Sequence, residues 1–218
     1  MTALLPLLVT LAAYLVGSLS FAVIVSRLMG LSDPRTYGSG NPGATNVLRS
    51  GSKAAAILTL VLDALKGYLP VALVVHFGPA HGLGEWTIAA VALAAFLGHL
   101  WPVLFRFKGG KGVATAAGAL FGIDPLLGAA TLATWLIIAA FFRYSSLASI
   151  VAAVFAPFWY LLTDGPNAIA LAVFAMGVLL VWRHSANIKR LFAGTESRLA
   201  KKSVEAPARA KRRRAPRH

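Results

Sequence analysis

The sequence contains no cysteine and is poor in charge, with only 13% of its 218 residues being Asp, Glu, Lys or Arg. Without cysteine there is no disulfide framework, no thiolate nucleophile and no cysteine metal ligand. Soluble domains carry about 25% charged residues, whereas 58% of this chain is hydrophobic. Only seven residues are acidic, and no spacing of His, Asp or Glu resembles a metal site, so we expect no bound metal. The composition predicts an integral membrane protein.

The net charge of +14 makes nucleic acid a candidate partner. However, the basic residues concentrate in residues 198–218 and in short loops between apolar runs. That distribution suits the anionic leaflet of a membrane better than a nucleic-acid groove. We therefore expect membrane lipid as a partner and no nucleic acid.

Six apolar runs organise the chain. They span residues 4–28, 53–76, 86–105, 112–142, 145–162 and 167–183. A transmembrane helix needs about 20 residues, so the run over 112–142 is too long for a single span. Gly122, Ile123, Asp124 and Pro125 interrupt this run with a turn signal.

The basic residues decide how that run is divided, because Lys and Arg concentrate in cytoplasmic loops. The connections over 77–85 and 163–167 contain neither residue, whereas the other connections between the runs are basic. All basic loops lie on one side only if the long run crosses twice, as 112–122 and 126–142. The sequence therefore predicts an all-α membrane protein with seven transmembrane helices, its N-terminus outside and its C-terminus in the cytoplasm. The helix over 112–122, about 16 Å long, must lie where the protein is thin or where neighbouring helices shelter it.

The first glycine-rich loop, residues 38–46, reads GSGNPGATN and contains the spacing G-x-G-x-x-G. A dinucleotide-binding loop with that spacing follows a strand, whereas this one follows a predicted membrane helix. Glycines allow positive φ angles, and successive amides in such conformations form a nest for anions. The alternative is an ordinary flexible turn. The phosphate-binding candidates are Gly38, Ser39, Gly40, Asn41, Gly43, Thr45, Asn46 and Arg49.

The second glycine-rich loop lies in residues 107–115, which read FKGGKGVAT. It lacks the P-loop pattern, but it opens the short predicted helix, whose N-terminus points at the cytoplasm. Unpaired amides and the positive end of the helix dipole favour phosphate at that position. The candidates here are Lys108, Gly109, Gly110, Lys111, Gly112 and Thr115. Two such loops on one membrane face make coincidental turns improbable.

A third polar cluster follows the last apolar run, where His184 and Asn187 are three residues apart and share a helix face. Histidine can act there as a base or as a phosphate donor, with Glu196 in support. The neighbouring Arg183 and Arg190 are interpreted as topology charges.

Three polar residues lie inside apolar runs, where charges are costly and face the protein interior. Asp63 and Lys66 either pair with each other at this i, i+3 spacing or orient Arg49 or a loop lysine. His99 is interpreted as an interior histidine that lies close to the second glycine-rich loop.

These motifs together resemble one family. The segments GSGNPGATNVLR, GHLWPVLFRFKGGKGVATAAG and RHSANIKRLFAGTE, with DALKG, are similar to the bacterial acyl-phosphate:glycerol-3-phosphate acyltransferases (PlsY). The resemblance implies transfer of a fatty acyl group from acyl phosphate to the 1-hydroxyl of glycerol 3-phosphate. Lysophosphatidic acid and phosphate are the products, made in bacterial phospholipid synthesis at the cytoplasmic face of the inner membrane. No cofactor is implied.

The resemblance also implies residue roles. The candidates of the first loop hold mainly the acyl phosphate and those of the second loop mainly the glycerol phosphate, although the two loops could be reversed. Ser39, His184 and Asn187 complete the catalytic site, and either His184 or a substrate phosphate takes the hydroxyl proton. Residues 1–197 are predicted to form the acyltransferase domain.

Residues 198–218 lie outside the resemblance. They contain nine basic residues against one acid, together with Pro207 and Pro216 and few large apolar residues, which predicts disorder. We expect this tail to lie along anionic lipid; the alternative is a solvated determinant of topology.

Two other classes of protein are the alternatives. A transporter of phosphorylated solutes would place its site near the bilayer midplane on interrupted helices, usually with internal repeats. A membrane scaffold would leave both glycine-rich loops without a role.

Overall fold

The structure is a computed structural model that describes residues 4–199, a range without β-strands. Most of the predicted basic tail, residues 200–218, lies outside the described residues. The α-helices of the described range are α1 Leu5–Gly17, α2 Phe21–Leu28, α3 Ala44–Val47, α4 Lys53–Phe77, α5 Glu85–Leu100, α6 Val113–Ile123, α7 Pro125–Phe142, α8 Ser145–Asp164, α9 Ala168–Arg183 and α10 Ser185–Phe192.

Four helical segments of the described range are long and apolar enough to cross a membrane, namely α4, α5 with its extension to Phe105, α7 and α8. The number rises to six if each of two bent pairs counts as one span. These pairs are α1 with α2, bent by 45°, and α9 with α10, bent by 55°. At 11 residues, α6 is shorter than a full span.

The predicted first span, 4–28, is broken into α1 and α2 rather than forming one helix. The hydroxyl of Ser18 donates to the carbonyl of Tyr14 at 2.8 Å, a type of bond that often bends helices. The break leaves the carbonyl of Leu19 between the helices, where the ammonium of Lys66 donates to it at 2.7 Å. A backbone group freed at membrane depth needs a partner within the protein. Lys66 is one partner, and the backbone N–H of Phe21, which donates to the same carbonyl at 3.2 Å, is another.

Asp63 and Lys66 are buried on α4, with 2.7 Å between carboxylate and ammonium. This confirms the alternative in which the two charges pair with each other. His99 on α5 lies 3.7 Å from the same carboxylate, and its Nδ1 lies 3.1 Å from the hydroxyl of Thr115 on α6. These residues and the carbonyl of Leu19 form what we call the polar core, which joins α4, α5 and α6 to the break between α1 and α2.

The short helix α6 packs closely against α4. Of the two predicted alternatives, a thin region of protein or shelter by neighbouring helices, the structure shows shelter. A Cβ on Gly118 would overlap the carbonyl oxygen of Ala64, and a Cβ on Gly67 would overlap that of Thr115. Small residues let helix backbones approach this closely in membrane proteins. Six of the 11 residues of α6 are buried, so much of its surface faces protein.

The predicted division of the run over 112–142 is confirmed. α6 ends at Ile123 and α7 begins at Pro125. The carboxylate of Asp124 accepts a hydrogen bond from the backbone N–H of Leu127 at 2.6 Å, which caps α7. Proline is well placed at the first position of a helix because its missing N–H has no helical partner there.

The third predicted helix, in contrast, ends earlier than its apolar run. α5 stops at Leu100, and Trp101 leaves the helical region with φ −130° and ψ 71°. The cause is Pro102, since a proline disfavours helical backbone at the preceding residue. The chain then turns through Val103–Phe105 and enters the second glycine-rich loop close to His99.

Lys66→Met should lower the free energy of unfolding by about 3–5 kcal/mol, because it leaves the buried carboxylate of Asp63 uncompensated. The double variant Asp63→Leu, Lys66→Met should be more stable than Lys66→Met alone, since it leaves no isolated charge. The free energy of unfolding of each variant is measured in mixed detergent micelles. The single variant Asp63→Leu completes the comparison. If the double variant loses as much free energy of unfolding as Asp63→Leu and Lys66→Met lose together, the ion pair does not hold these helices together.

Candidate functional site

The two glycine-rich loops and the segment after α10 meet at one end of the helices. A guanidinium nitrogen of Arg49 donates to the hydroxyl of Ser197 at 3.0 Å, which ties the first loop to the third cluster. A Cβ on Gly110 would lie 2.8 Å from the carbonyl oxygen of Pro42, so only glycine lets the two loops touch. The structure thus brings together three clusters that are far apart in sequence.

The first loop is organised by the buried side chain of Asn46. Its Nδ2 donates to the carbonyls of Pro34 at 2.6 Å and Tyr37 at 3.2 Å. Its Oδ1 accepts from the backbone N–H of Ser39 at 3.0 Å and lies 3.4 Å from a guanidinium nitrogen of Arg49. Asn46 was predicted among the phosphate-binding residues, and these bonds indicate that it positions Ser39 and Arg49.

The second loop is held by Arg183, at the end of α9. The guanidinium donates to the carbonyl of Gly109 at 3.0 Å and to that of Gly110 at 2.9 and 3.2 Å. The backbone N–H of Gly110 donates to the carbonyl of His99 at 3.2 Å. Arginine suits this role because its planar fork reaches two acceptors from one side chain. The glycine backbone is therefore fixed against α5 and α9.

Asn187 connects Lys111 to Glu196. Its Oδ1 accepts a hydrogen bond from the Lys111 ammonium, and its Nδ2 donates to Oε1 of Glu196 at 2.6 Å. The hydroxyl of Ser146 donates to the same oxygen at 2.7 Å, and Nε of Arg190 donates to Oε2 at 2.7 Å. Burial opposes ionisation, but these hydrogen bonds hold the pKa of Glu196 below its usual range. Glu196 is thus an ionised anchor for Asn187.

Lys111 lies among several cations. The pKa of Lys111 is lowered to about 8, with burial as the largest cause; Glu196 opposes the change, whereas Arg190, Arg183 and Arg49 contribute to it. The ammonium is therefore only partly protonated somewhat above neutral pH. A bound anion would favour the protonated form.

His184 is buried at the junction of α9 and α10. Its Nδ1 lies 2.8 Å from the carbonyl oxygen of Leu180. A carbonyl only accepts, so Nδ1 carries the proton, and Nε2 keeps its lone pair when the ring is neutral. The backbone therefore sets the tautomer that Nε2 needs in order to accept a proton.

Some predicted residues lie apart from this centre. Thr115 was predicted to bind phosphate, but its side chain is fully buried against His99, which indicates a supporting role. Lys108 was grouped with Lys111, but it is exposed and lines a cleft on another side of the loop. Ser39, in contrast, is exposed beside Arg49, as its predicted role requires.

Sequence reasoning missed two residues of this arrangement. Arg183 was interpreted as a topology charge, and nothing in its position distinguishes it from other arginines at helix ends. Ser146, at the start of α8, was not considered at all. Its only sequence signal is a hydroxyl beside the basic connection at Arg143, which becomes informative once Glu196 is known to lie there.

The site has the chemistry of an anion receptor beside one potential base. The guanidinium of Arg49, the ammonium of Lys111 and the loop amides can donate to phosphate oxygens. Nε2 of His184 offers a proton acceptor in the same region. Within residues 4–199 no cluster of three or more His, Asp or Glu side chains could hold a metal ion.

Comparison with known sequences gives a consistent result. The profile of the family Glycerol-3-phosphate acyltransferase matches residues 7–194. A glycerol-3-phosphate acyltransferase from Cupriavidus taiwanensis is 66% identical over 196 residues, covering 90% of this chain and 97% of the relative. One from Paraburkholderia phytofirmans is 64% identical over 203 residues, covering 93% of this chain and 95% of the relative.

Two solved structures share the fold. Both are crystal structures of PlsY, described as an integral membrane glycerol 3-phosphate acyltransferase, and both are 39% identical to this chain. The glycerol 3-phosphate form has a TM-score of 0.84 and covers 89% of this chain and 96% of that one. The lysophosphatidic acid form has a TM-score of 0.81, with 88% and 94% covered. With the apolar helices described above, this similarity shows a multi-pass membrane protein.

Arg183→Gln should loosen the second glycine-rich loop, because it removes the charge-assisted hydrogen bonds to the carbonyls of Gly109 and Gly110. Such bonds contribute roughly 1.5–3 kcal/mol, so hydrogen exchange of the loop amides should accelerate at least about tenfold. Arg183→Lys should be intermediate, since it keeps the charge and loses the fork. Lys189→Gln, exposed on α10, is the control. Unchanged exchange in Arg183→Gln would contradict the assigned role.

Proposed function

The chain belongs to the glycerol-3-phosphate acyltransferase family, and we propose that it transfers a fatty acyl group from acyl phosphate to the 1-hydroxyl of glycerol 3-phosphate. The products are lysophosphatidic acid and inorganic phosphate, and no cofactor takes part. The acceptor is supported by the PlsY structures, whose described forms contain glycerol 3-phosphate and lysophosphatidic acid. The donor is supported by the motifs and by the cations of two separate loops.

The enzyme is proposed to cross the bacterial cytoplasmic membrane seven times, with its N-terminus outside and its site at the cytoplasmic face. Each of the seven predicted segments contains a helix or a bent helix pair. The basic loops lie on one side only with seven crossings, and Lys and Arg concentrate on the cytoplasmic side. The meeting of the three polar clusters at one end of the helices is consistent with this orientation. It disfavours a transporter, whose site would lie near the midplane.

The observation that carries the proposal is the convergence of Arg49 and Lys111 on one connected set of side chains. The two residues belong to different glycine-rich loops, and Ser197, Asn187 and Glu196 link them to the segment after α10. A reaction between two phosphorylated substrates needs two cationic phosphate sites side by side. We assign Arg49, with Ser39 and the first-loop amides, to the acyl phosphate. Lys111, with Asn187, is assigned to the glycerol phosphate.

The chemistry needs positioning and charge stabilisation. The 1-hydroxyl oxygen attacks the carbonyl carbon of the acyl phosphate and forms the ester C–O bond. The C–O bond to phosphate then breaks, and phosphate leaves with the electron pair. The hydroxyl proton goes to Nε2 of His184 or to a phosphate oxygen. Fixed cations that hold the leaving phosphate and align the hydroxyl lower the barrier.

No covalent intermediate on the enzyme is required, because acyl phosphate is a mixed anhydride with a good leaving group. This accounts for the absence of cysteine from the whole sequence. It also agrees with the surroundings of Ser39, whose backbone N–H is bound by Asn46 and which serves as a phosphate donor in this scheme.

The donor is tested by reconstituting the purified protein with glycerol 3-phosphate and one of three donors. Acyl phosphate should give lysophosphatidic acid, whereas acyl carrier protein thioester and acyl-CoA should give none. The reason is that Arg49 and the first-loop amides offer contacts to a phosphate that a thioester lacks. Ester formation from either thioester alone would refute the assignment of the donor.

The kcat/KM for glycerol 3-phosphate should fall as pH rises through about 8, the pKa to which burial lowers Lys111. The sign follows from the charge, because the protonated ammonium binds phosphate and the neutral amine does not. The fall should approach about tenfold per pH unit, since kcat/KM reports the free enzyme.

Lys111→Arg should lose this alkaline fall, because arginine stays charged in proteins. Its kcat/KM should be lower overall, since the contact with Asn187 changes. Lys108→Arg, in the same loop and exposed, is the matched control and should keep the wild-type profile. If kcat/KM of Lys111→Arg still falls at the same pH as in the wild type, a group other than Lys111 causes the fall.

A further inference from the structure

A second cationic depression lies on another side of the second glycine-rich loop. It is a half-open cleft of about 770 Å³ between that loop, the end of α2 and the start of the first loop. Its polar and apolar walls include Arg27, Asp33, Arg35, Leu104, Arg106 and Lys108. Lys111, His184 and Asn187 are not among its lining residues, whereas Gly40, Lys108 and Gly109 of the two glycine-rich loops are. The cleft therefore adjoins the centre described above and lies on the other side of those loops.

The cleft has more positive charge than its own residues neutralise. Its one lining acid, Asp33, is already bound by Arg35, with hydrogen bonds of 3.0 Å at Nε and 2.6 Å at a terminal nitrogen. Arg27, Arg106 and Lys108 have no side-chain hydrogen bond or ion pair within residues 4–199. Four cations line this one depression against a single carboxylate, so they repel one another, and a bound anion would relieve that repulsion.

Exposed apolar residues accompany the cleft. Leu104 lines it, and Leu28 and Phe107 directly follow the lining residues Arg27 and Arg106 in the chain; the three expose 57%, 81% and 58% of their surface, respectively. We call these three residues the apolar rim. Arg106 and Phe107 both have left-handed backbone, with φ of 56° and 59°, which is uncommon for residues other than glycine. This strained turn directs a cation to the cleft and leaves an aromatic ring exposed beside it. Basic side chains next to exposed apolar ones at helix ends are typical of the membrane–water interface.

We propose that this cleft binds the phosphate group of an anionic phospholipid from the surrounding leaflet, while the acyl chains of that lipid lie along the apolar rim. Three cations match a phosphodiester together with other anionic oxygens of the headgroup. The exposed leucines and Phe107 match the hydrocarbon that continues from such a headgroup. A free phosphate ion would use the cations and leave the rim without a partner, which is why the lipid is the favoured occupant.

The test compares two double variants of the full chain that remove the same charge. Arg27→Gln with Arg106→Gln empties the cleft of two cations. Lys53→Gln with Lys189→Gln removes two exposed cations outside it. Purified proteins in neutral detergent are titrated with phosphatidylglycerol, phosphatidylcholine or inorganic phosphate. Native mass spectrometry measures the bound lipids, and calorimetry measures the bound phosphate.

The cleft variant should bind phosphatidylglycerol about 25-fold more weakly than wild type, because each basic residue at an anionic surface contributes about a factor of five. The control variant should bind it as wild type does, and phosphatidylcholine should bind weakly to all three proteins. Equal phosphatidylglycerol affinity in the cleft and control variants would overturn the proposal. So would inorganic phosphate that binds wild type as tightly as the lipid does and displaces it, which would identify a free phosphate site.

A kinetic measurement separates a lipid site from a substrate site. In phosphatidylcholine micelles the cleft variant should keep the wild-type kcat and the wild-type KM for both substrates. A tenfold rise in the KM for acyl phosphate would place the substrate in this cleft and overturn the proposal. The binding titrations need no turnover, so their result stands apart from the test of the acyl donor.

Discussion

The buried ammonium of Lys66 is the group around which the helices are arranged. It donates to the carbonyl of Leu19 at the break between α1 and α2, and it neutralises Asp63. Asp63 lies close to His99, whose backbone carbonyl accepts from Gly110 in the second loop. A structural ion pair at membrane depth is thus linked, through one histidine, to the backbone of the second glycine-rich loop. The polar core and the site are parts of one connected structure.

The site itself is built against electrostatic repulsion. Lys111, Arg49, Arg183 and Arg190 lie near one another, with Glu196 as their acidic partner. Cations held this close together repel one another, which costs free energy when no anion is bound. A phosphate would offset that cost, because it brings negative charge that the surrounding side chains supply only through Glu196. In the proposed scheme, relief of this repulsion therefore supplies part of the energy that holds the substrate phosphates. The low pKa of Lys111 has burial as its largest cause, and the neighbouring Arg190, Arg183 and Arg49 add to it.

The sequence predicts the parts of this protein that composition and periodicity control. The division at Asp124 could be predicted because the position of basic loops required an even number of crossings between Lys111 and Arg143. The break near Ser18 could not, since Gly and Ser also occur inside continuous membrane helices and the charged partner of the carbonyl at the break, Lys66, lies far along the chain. The role of Arg183 was missed for a similar reason. A basic residue at a helix end marks topology in most proteins, and only the packed loop shows which carbonyls it binds. The first loop was predicted as a unit, but whether Asn46 touches a ligand or the loop itself depends on burial.

The hydrogen bond between Asn187 and Glu196 can form only late in synthesis of the chain. Chains are synthesised from the N-terminus at roughly 5–20 residues per second, and Glu196 follows α10, whereas Lys111 precedes α6. During synthesis the two glycine-rich loops exist before the carboxylate that anchors Asn187 has been made. The nascent protein therefore holds these cations without Glu196 until the helices from α1 to α10 have been synthesised. The anchored arrangement of Asn187 beside Lys111 can form only after that point.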